Sequence, residues 1–189
     1  KGLVIIGQNL YVADKSKVSK INLVGQAQGQ VQVFAAASAF PETPLFLNDL
    51  EADISGNVYV SDTGDLKGKG GAIYKIDSQG KVTLVVNNKQ ESRLLGPNGL
   101  IMDDTGDVIM VVDFVSGILY SYNMKTHKLT DLAEGFGGGD GLVHHSSGKM
   151  FVSDWNNGKV FSISLKGDVK EIKAGNKSDD DIALTKEER

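Results

Sequence analysis

A short strand that ends in aspartate recurs four times in this chain, and no other feature constrains the fold as tightly. The copies are Asn9-Leu10-Tyr11-Val12-Ala13-Asp14, Asn57-Val58-Tyr59-Val60-Ser61-Asp62, Asp107-Val108-Ile109-Met110-Val111-Val112-Asp113 and Lys149-Met150-Phe151-Val152-Ser153-Asp154. The third is longer by one residue. Each run is apolar or alternating and stops at Asp, as a strand entering a turn does. The spacing is roughly 40–50 residues, the length of a propeller blade.

Each unit supplies four strands. In the second, Asn48 to Ile54 leads through Ser55-Gly56 into Val58–Ser61. Ala72–Ile76 then alternates by two, and a turn at Asp77–Gly80 leads to Val82–Val86. The third unit repeats this with Gly99–Met102, Val108–Val112, Ile118–Tyr122 and Lys128–Leu132. The fourth uses Gly141–His144, Met150–Ser153, Val160–Ile163 and Val169–Ile172. The first opens at Leu3–Ile6 and finishes with Val31–Phe34. Glycine is abundant at 23 residues and proline scarce at 3, which suits short turns between strands. No segment carries a helical period.

The expected fold is all-β: four four-stranded propeller blades near 1–36, 46–88, 96–134 and 138–174. Asp181-Ile182-Ala183-Leu184 aligns with Asn98-Gly99-Leu100-Ile101, so residues 179–189 read as the start of a fifth blade. Leu3–Ile6 already gives the first blade its innermost strand, so this strand is left over. An open propeller exposes sheet edges and apolar faces. The expectation is therefore a piece of a larger closed propeller, completed by further blades or a second chain.

Composition narrows the partners. The formal net charge is −4 and no basic stripe appears, so nucleic acid is not expected. Cysteine is absent, which excludes disulfides, thiolate metal sites and a Cys nucleophile and leaves the compartment open. No apolar run reaches the roughly 18–20 residues of a membrane span, and no signal peptide is visible.

In a propeller the innermost strands start beside the central channel, on the face that also carries the loops between second and third strands. The residues heading these strands are Asn48, Asn98 and Asp140, with Asp181 in the matching place of the fifth unit. Their oxygens are hard ligands, suited to Ca²⁺ or another hard divalent ion. A second reading fits the same residues, because Asn-Gly and Asp-Gly favour tight turns whatever the function.

The chain resembles the senescence-marker-protein-30/gluconolactonase-like family of six-bladed propellers. The resemblance is carried by Phe46-Leu47-Asn48-Asp49, Gly56–Asp62, Gly96-Pro97-Asn98-Gly99-Leu100, Gly139-Asp140-Gly141-Leu142 and Val152-Ser153-Asp154-Trp155. Enzymes of that family hold a divalent metal, often calcium, through a Glu of the first blade, an Asn and an Asp. The resemblance implies that Asn98 and Asp140 are the metal ligands and that Asn48 contacts substrate or a metal-bound water. The family Glu has no counterpart in this sequence. The implied activity is metal-dependent hydrolysis of a sugar lactone or similar ester, with Asp140 also taking a proton from the attacking water. The rival reading is a non-catalytic binding or scaffold propeller of the NHL-like type, and a third is a periplasmic or secreted sugar-handling protein without hydrolase activity.

Other residues are weighed against this picture. Trp155, with Asn156 to Gly158, forms either a wall of the substrate pocket or a contact between blades. Phe114 and Val115 occupy the matching loop. Thr63–Gly71 is the longest such loop and is expected to be mobile and to cover the mouth. His144 and His145 lie near the Ser146-Ser147-Gly148 turn, at the opposite face, and His145 aligns with the turn residues Asp53 and Asp103. Gly135–Gly139 lacks the Gly-Lys-Ser/Thr of a phosphate loop and reads as room for the chain to enter the channel. The charged Lys177–Arg189 stretch reads as solvated or frayed.

Overall fold

The computed structural model describes residues 2–174 and Ile182. It contains four antiparallel sheets of four strands, each a hairpin meander in chain order. Blade 1 is β1 (Leu3–Ile6), β2 (Asn9–Asp14), β3 (Lys17–Asn22) and β4 (Val31–Ala35). Blade 2 is β5 (Leu47–Ala52), β6 (Val58–Asp62), β7 (Ala72–Ile76) and β8 (Val82–Asn87). Blade 3 is β9 (Pro97–Met102), β10 (Val108–Asp113), β11 (Ile118–Asn123) and β12 (Lys128–Glu134). Blade 4 is β13 (Gly139–His144), β14 (Met150–Asp154), β15 (Lys159–Ile163) and β16 (Val169–Ala174). The four four-stranded propeller blades expected from the repeat are present. Of the segment expected to open a fifth blade, only Ile182 is among the described residues; Asp181 and the charged tail from Lys177 otherwise lie outside them.

The blades stack through their faces. Successive strand residues point to opposite sides of a sheet, so a blade between two neighbours needs apolar residues on both. β6 shows this: Val58 and Val60 pack toward blade 1, whereas Tyr59 packs toward blade 3. All five of its residues are buried for that reason. Three apolar layers result, joining blades 1 and 2 around Val18, Leu50 and Tyr74, blades 2 and 3 around Ile73, Leu100 and Tyr120, and blades 3 and 4 around Val112, Leu142 and Phe136. Blade 1 breaks the pattern: Leu3, Ile5, Val31 and Val33, on the face away from blade 2, are exposed.

The aspartates that close β6 and β10 do more than start a turn. Asp62 is buried, and its carboxylate accepts the backbone N–H groups of Leu45 and Phe46 at 2.9 and 2.8 Å, and of Gly64 at 3.0 Å. Asp113 is fully buried and accepts from Leu95, Gly96, Val115 and Ser116 at 2.8 to 3.0 Å. Each carboxylate ties the segment leading into an innermost strand to the loop that follows the second strand. Asp154 in blade 4 is also buried, but its oxygens are taken by the Asn157 N–H and amide at 3.1 and 2.7 Å. The lead-in Gly137 is held instead by the Asn156 amide, which donates to its carbonyl.

At the opposite face side-chain acceptors hold the turns between first and second strands. Asp53 accepts from the Ser55 and Asn57 N–H groups, both at 2.9 Å. Asp103 accepts from Asp107 and Val108, and His145 Nδ1 accepts from the Ser147 N–H at 3.0 Å. His145 is thus the third member of a turn series, as its alignment with Asp53 and Asp103 implied.

Between the innermost strands lies a cavity of about 570 Å³, bordered by residues of all four blades and by Ile182. Its wall is mainly apolar, including Ile5, Leu50, Met102 and Val143, with Asp49, Glu51 and His144 as polar members. Desolvation holds the Glu51 carboxyl above its ordinary range, opposed by the hydrogen bond it accepts from the Ala52 N–H at 2.7 Å. Among the described residues no helix is long and apolar enough to cross a membrane.

Two outcomes are expected. Asp113→Asn replaces one acceptor oxygen by an NH₂ group facing backbone donors, and should cost about 3 kcal/mol in urea unfolding, whereas exposed Asp131→Asn should cost about 0.5 kcal/mol or less. Glu51 has a raised folded-state value, so its contribution favours the fold below the ordinary carboxyl range and is lost as pH rises through the raised value. Glu51→Gln should therefore raise the melting temperature at about pH 7 and give no gain at about pH 3.5.

Candidate functional site

Asn48, Asn98 and Asp140 sit at one structural position. In blade 2, Leu47 pairs with Asp62 and Leu50 with Val60, so Asn48 and Asp49 oppose Ser61 alone. In blade 3, Pro97 pairs with Asp113 and Leu100 with Val111, so Asn98 and Gly99 oppose Val112. In blade 4, Gly139 pairs with Asp154 and Leu142 with Val152, so Asp140 and Gly141 oppose Ser153. Each innermost strand thus carries one extra residue at its start. Such a bulge turns a side chain out of the regular alternation and is common beside functional sites. The β1–β2 pairing in blade 1 runs without one.

The bulges are held by side chains as well as by the ladder. The Ser61 hydroxyl accepts from the Asp49 N–H at 3.0 Å, and the Ser153 hydroxyl from the Gly141 N–H at 2.8 Å. The Asp49 carboxylate reaches the next blade and accepts from the Leu100 N–H at 2.9 Å. Gly99 lies so near blade 4 that a Cβ there would stand 2.5 Å from the Asp140 carbonyl oxygen and 2.7 Å from the Leu142 nitrogen. Glycine is required at this point because the facing atoms are backbone.

The three polar heads differ in what they touch. The Asn48 amide donates to the Thr63 hydroxyl at 3.3 Å, and that hydroxyl donates to the Pro97 carbonyl at 3.0 Å. Asn98 is 3% exposed, yet its side chain makes no hydrogen bond among the described residues. Its polar atoms are not sealed off, since no fully buried side-chain nitrogen or oxygen lacks a partner. Asp140 is half-buried. Blades 3 and 4 therefore bring an uncommitted amide and a carboxylate to facing strands of one channel mouth.

The loops above this mouth were legible in part. Thr63, Phe114 and Trp155 each follow the buried Asp, and their N–H groups donate to Phe46, Gly96 and Gly138 at 2.9, 2.8 and 2.9 Å. Those carbonyls lie two residues before Asn48, Asn98 and Asp140 respectively. Trp155 is 42% exposed, and its ring meets Phe114 at 6.3 Å between centroids, tilted by 49°. Trp155 thus makes the contact between neighbouring blades' loops while remaining partly exposed to solvent.

The Thr63–Gly71 loop is braced by its own hydrogen bonds: Asp65 accepts from the Lys67 and Lys69 N–H groups at 2.8 and 3.0 Å. The Lys69 and Lys67 N–H groups hold the Asp65 carboxyl below its ordinary range. The Asn88 amide donates to the Gly68 carbonyl at 3.1 Å, which pins the loop tip to blade 2. Thr63 and Glu51 were missed by sequence reasoning. Thr63 follows the Asp repeat directly, a position whose meaning depends on the neighbouring blade.

A metal here would take oxygen donors. Asn98 and Asp140 supply a hard pair of the right chemistry. Among the described residues, no group of three or more His, Cys, Asp or Glu side chains is placed to hold a metal ion.

Comparison with known proteins identifies the family and the fold. The sequence profile described as the SMP-30/Gluconolactonase/LRE-like region matches residues 2–178. No curated protein sequence matches the chain. Among solved structures, a calcium-binding protein, regucalcin, from Agrobacterium tumefaciens is similar with a TM-score of 0.72 at 19% identity, over 95% of this chain and 61% of that one. A luciferin-regenerating enzyme is similar with a TM-score of 0.73 at 17% identity, over 96% of this chain and 64% of that one. Virginiamycin B lyase from Staphylococcus aureus gives 0.67 at 15% identity, over 91% of this chain and 54% of that one. At these identities the structures testify to the fold, and the chain spans less than two thirds of each of them. The profile match over most of the sequence carries the conclusion: this chain belongs to the SMP-30/gluconolactonase/LRE-like family.

Proposed function

We propose that this chain forms the site-bearing part of a divalent-metal-dependent hydrolase acting on a sugar lactone or similar ester. The observation that carries this reading is the set of equivalent bulges bearing Asn48, Asn98 and Asp140. Asn98 and Asp140 would hold the cation, Ca²⁺, through their oxygens. When bound, such an ion polarises an ester carbonyl and lowers the pKa of a coordinated water. Asp140 takes the proton from the attacking water. The water oxygen bonds to the acyl carbon, the ring carbon–oxygen bond breaks, and the leaving oxygen gains a proton to give a hydroxy acid. Asn48, oriented by Thr63, contacts the substrate, and Trp155 borders it.

The exposed apolar face of blade 1 belongs to the same proposal. Leu3, Ile5, Val31 and Val33 present the kind of surface that is buried between the other blades, and further blades or a second chain would cover it.

A non-catalytic binding propeller is the second reading. It draws support from the aromatic rings at the mouth and from the small number of acidic donors there. Calorimetric titration with Ca²⁺ separates the two. The parent chain should bind saturably, and the Asn98→Ala/Asp140→Ala double variant should not. Lactone hydrolysis should fall by about 100-fold or more in the double variant. A parent chain that takes up no Ca²⁺ would sink the metal-hydrolase reading for this chain and leave the binding module.

A further inference from the structure

Thr63, Phe114 and Trp155 are equivalent by register, but their chemistry is not. Blade 2 places a hydroxyl at this position and uses it for the Asn48 and Pro97 hydrogen bonds. Blades 3 and 4 place aromatic rings there, in contact with each other. These rings follow the strands that pair with the Asn98 and Asp140 bulges. The apolar surface continues along the rim. Val115 and Leu95 both lie against Gly68, and the half-exposed Leu45 lies against Gly70. The nearest acidic side chain of this loop, Asp65, is turned onto its own backbone.

A polyhydroxylated ring needs a donor or acceptor for each hydroxyl it brings out of water. Apart from the Trp155 indole N–H, the two aromatic rings and three aliphatic side chains supply none along this sector. An apolar substituent, by contrast, gains from leaving water against such a wall. We propose that the Phe114–Trp155 wall selects lactones or esters with an apolar alkyl or aryl substituent over polyhydroxylated sugar lactones. This rests on the hydrolase reading of the same mouth, while the wall's selectivity can be measured without turnover.

The chain has a single tryptophan, and it stands in the wall, so its emission reports occupancy. The probes are γ-lactams with butyl, hexyl and octyl substituents, which present the ring but resist hydrolysis, and the lactam of gluconic acid. The expected result is saturable change in Trp155 emission with the alkyl series, with Kd falling by up to about fourfold per added methylene. The sugar lactam should bind at least tenfold more weakly than the octyl lactam, by the same estimate. Phe114→Ala and the milder Phe114→Leu should flatten the chain-length dependence, with far-ultraviolet circular dichroism confirming that both fold. Equal affinity for the sugar and octyl lactams, or a Kd independent of chain length, would overturn the proposal. So would a protein-concentration-dependent emission shift without ligand, which would put a second copy of the chain on the wall. Chain-length-dependent binding in a chain that hydrolyses no lactone would uphold the wall and reject the hydrolase. Hydrolysis without chain-length preference would do the reverse.

Discussion

Buried carboxylates at the ends of second strands hold this structure's working face together. Asp62 and Asp113 each accept several backbone N–H groups, some from the segment entering the blade and some from the loop leaving it. A charged acceptor in a dry setting is favourable only when its lone pairs are filled, and filling them fixes the donors in space. The donors belong to the chain just ahead of Asn48 and Asn98. The bulges therefore start from anchored segments.

Blade 4 reaches a similar geometry by other contacts. Asp154 is satisfied by Asn157, and Asn156 secures Gly137. The Trp155 N–H still bonds to Gly138, as its counterparts do in blades 2 and 3. The position of Asp140 is thus conserved in the architecture while the bonds that set it are exchanged. The Trp155 ring meets Phe114, whereas the equivalent Thr63 hydroxyl bonds to Asn48 and Pro97, so the apolar and polar sectors of the mouth lie on different blades.

Much of the fold was open to reading in one dimension. Alternation in Val58–Asp62 and its three counterparts, with glycine and aspartate at the turns, prescribes short strands at blade spacing. Those signals are local, because side-chain period and turn chemistry act over a few residues. His145 was placed correctly for the same reason, since its turn spans only three residues to Ser147. The heads of the innermost strands were also visible, as a polar residue recurring before an apolar run.

What the sequence determined by itself was the repeat, the sheet composition of each blade and the identity of the residues that begin the innermost strands. The tertiary structure decided the rest. A bulge has no compositional mark, because it is defined by the partner strand's register, here set by Asp62, Asp113 and Asp154 opposite Leu47, Pro97 and Gly139. Thr63 bonds to Pro97 of the next blade, and Phe114 meets Trp155 across a blade boundary. Glu51 is desolvated only because innermost strands from other blades surround it. Each of these depends on chain segments far apart in sequence being brought within a few ångströms, and that information exists only once the blades have packed.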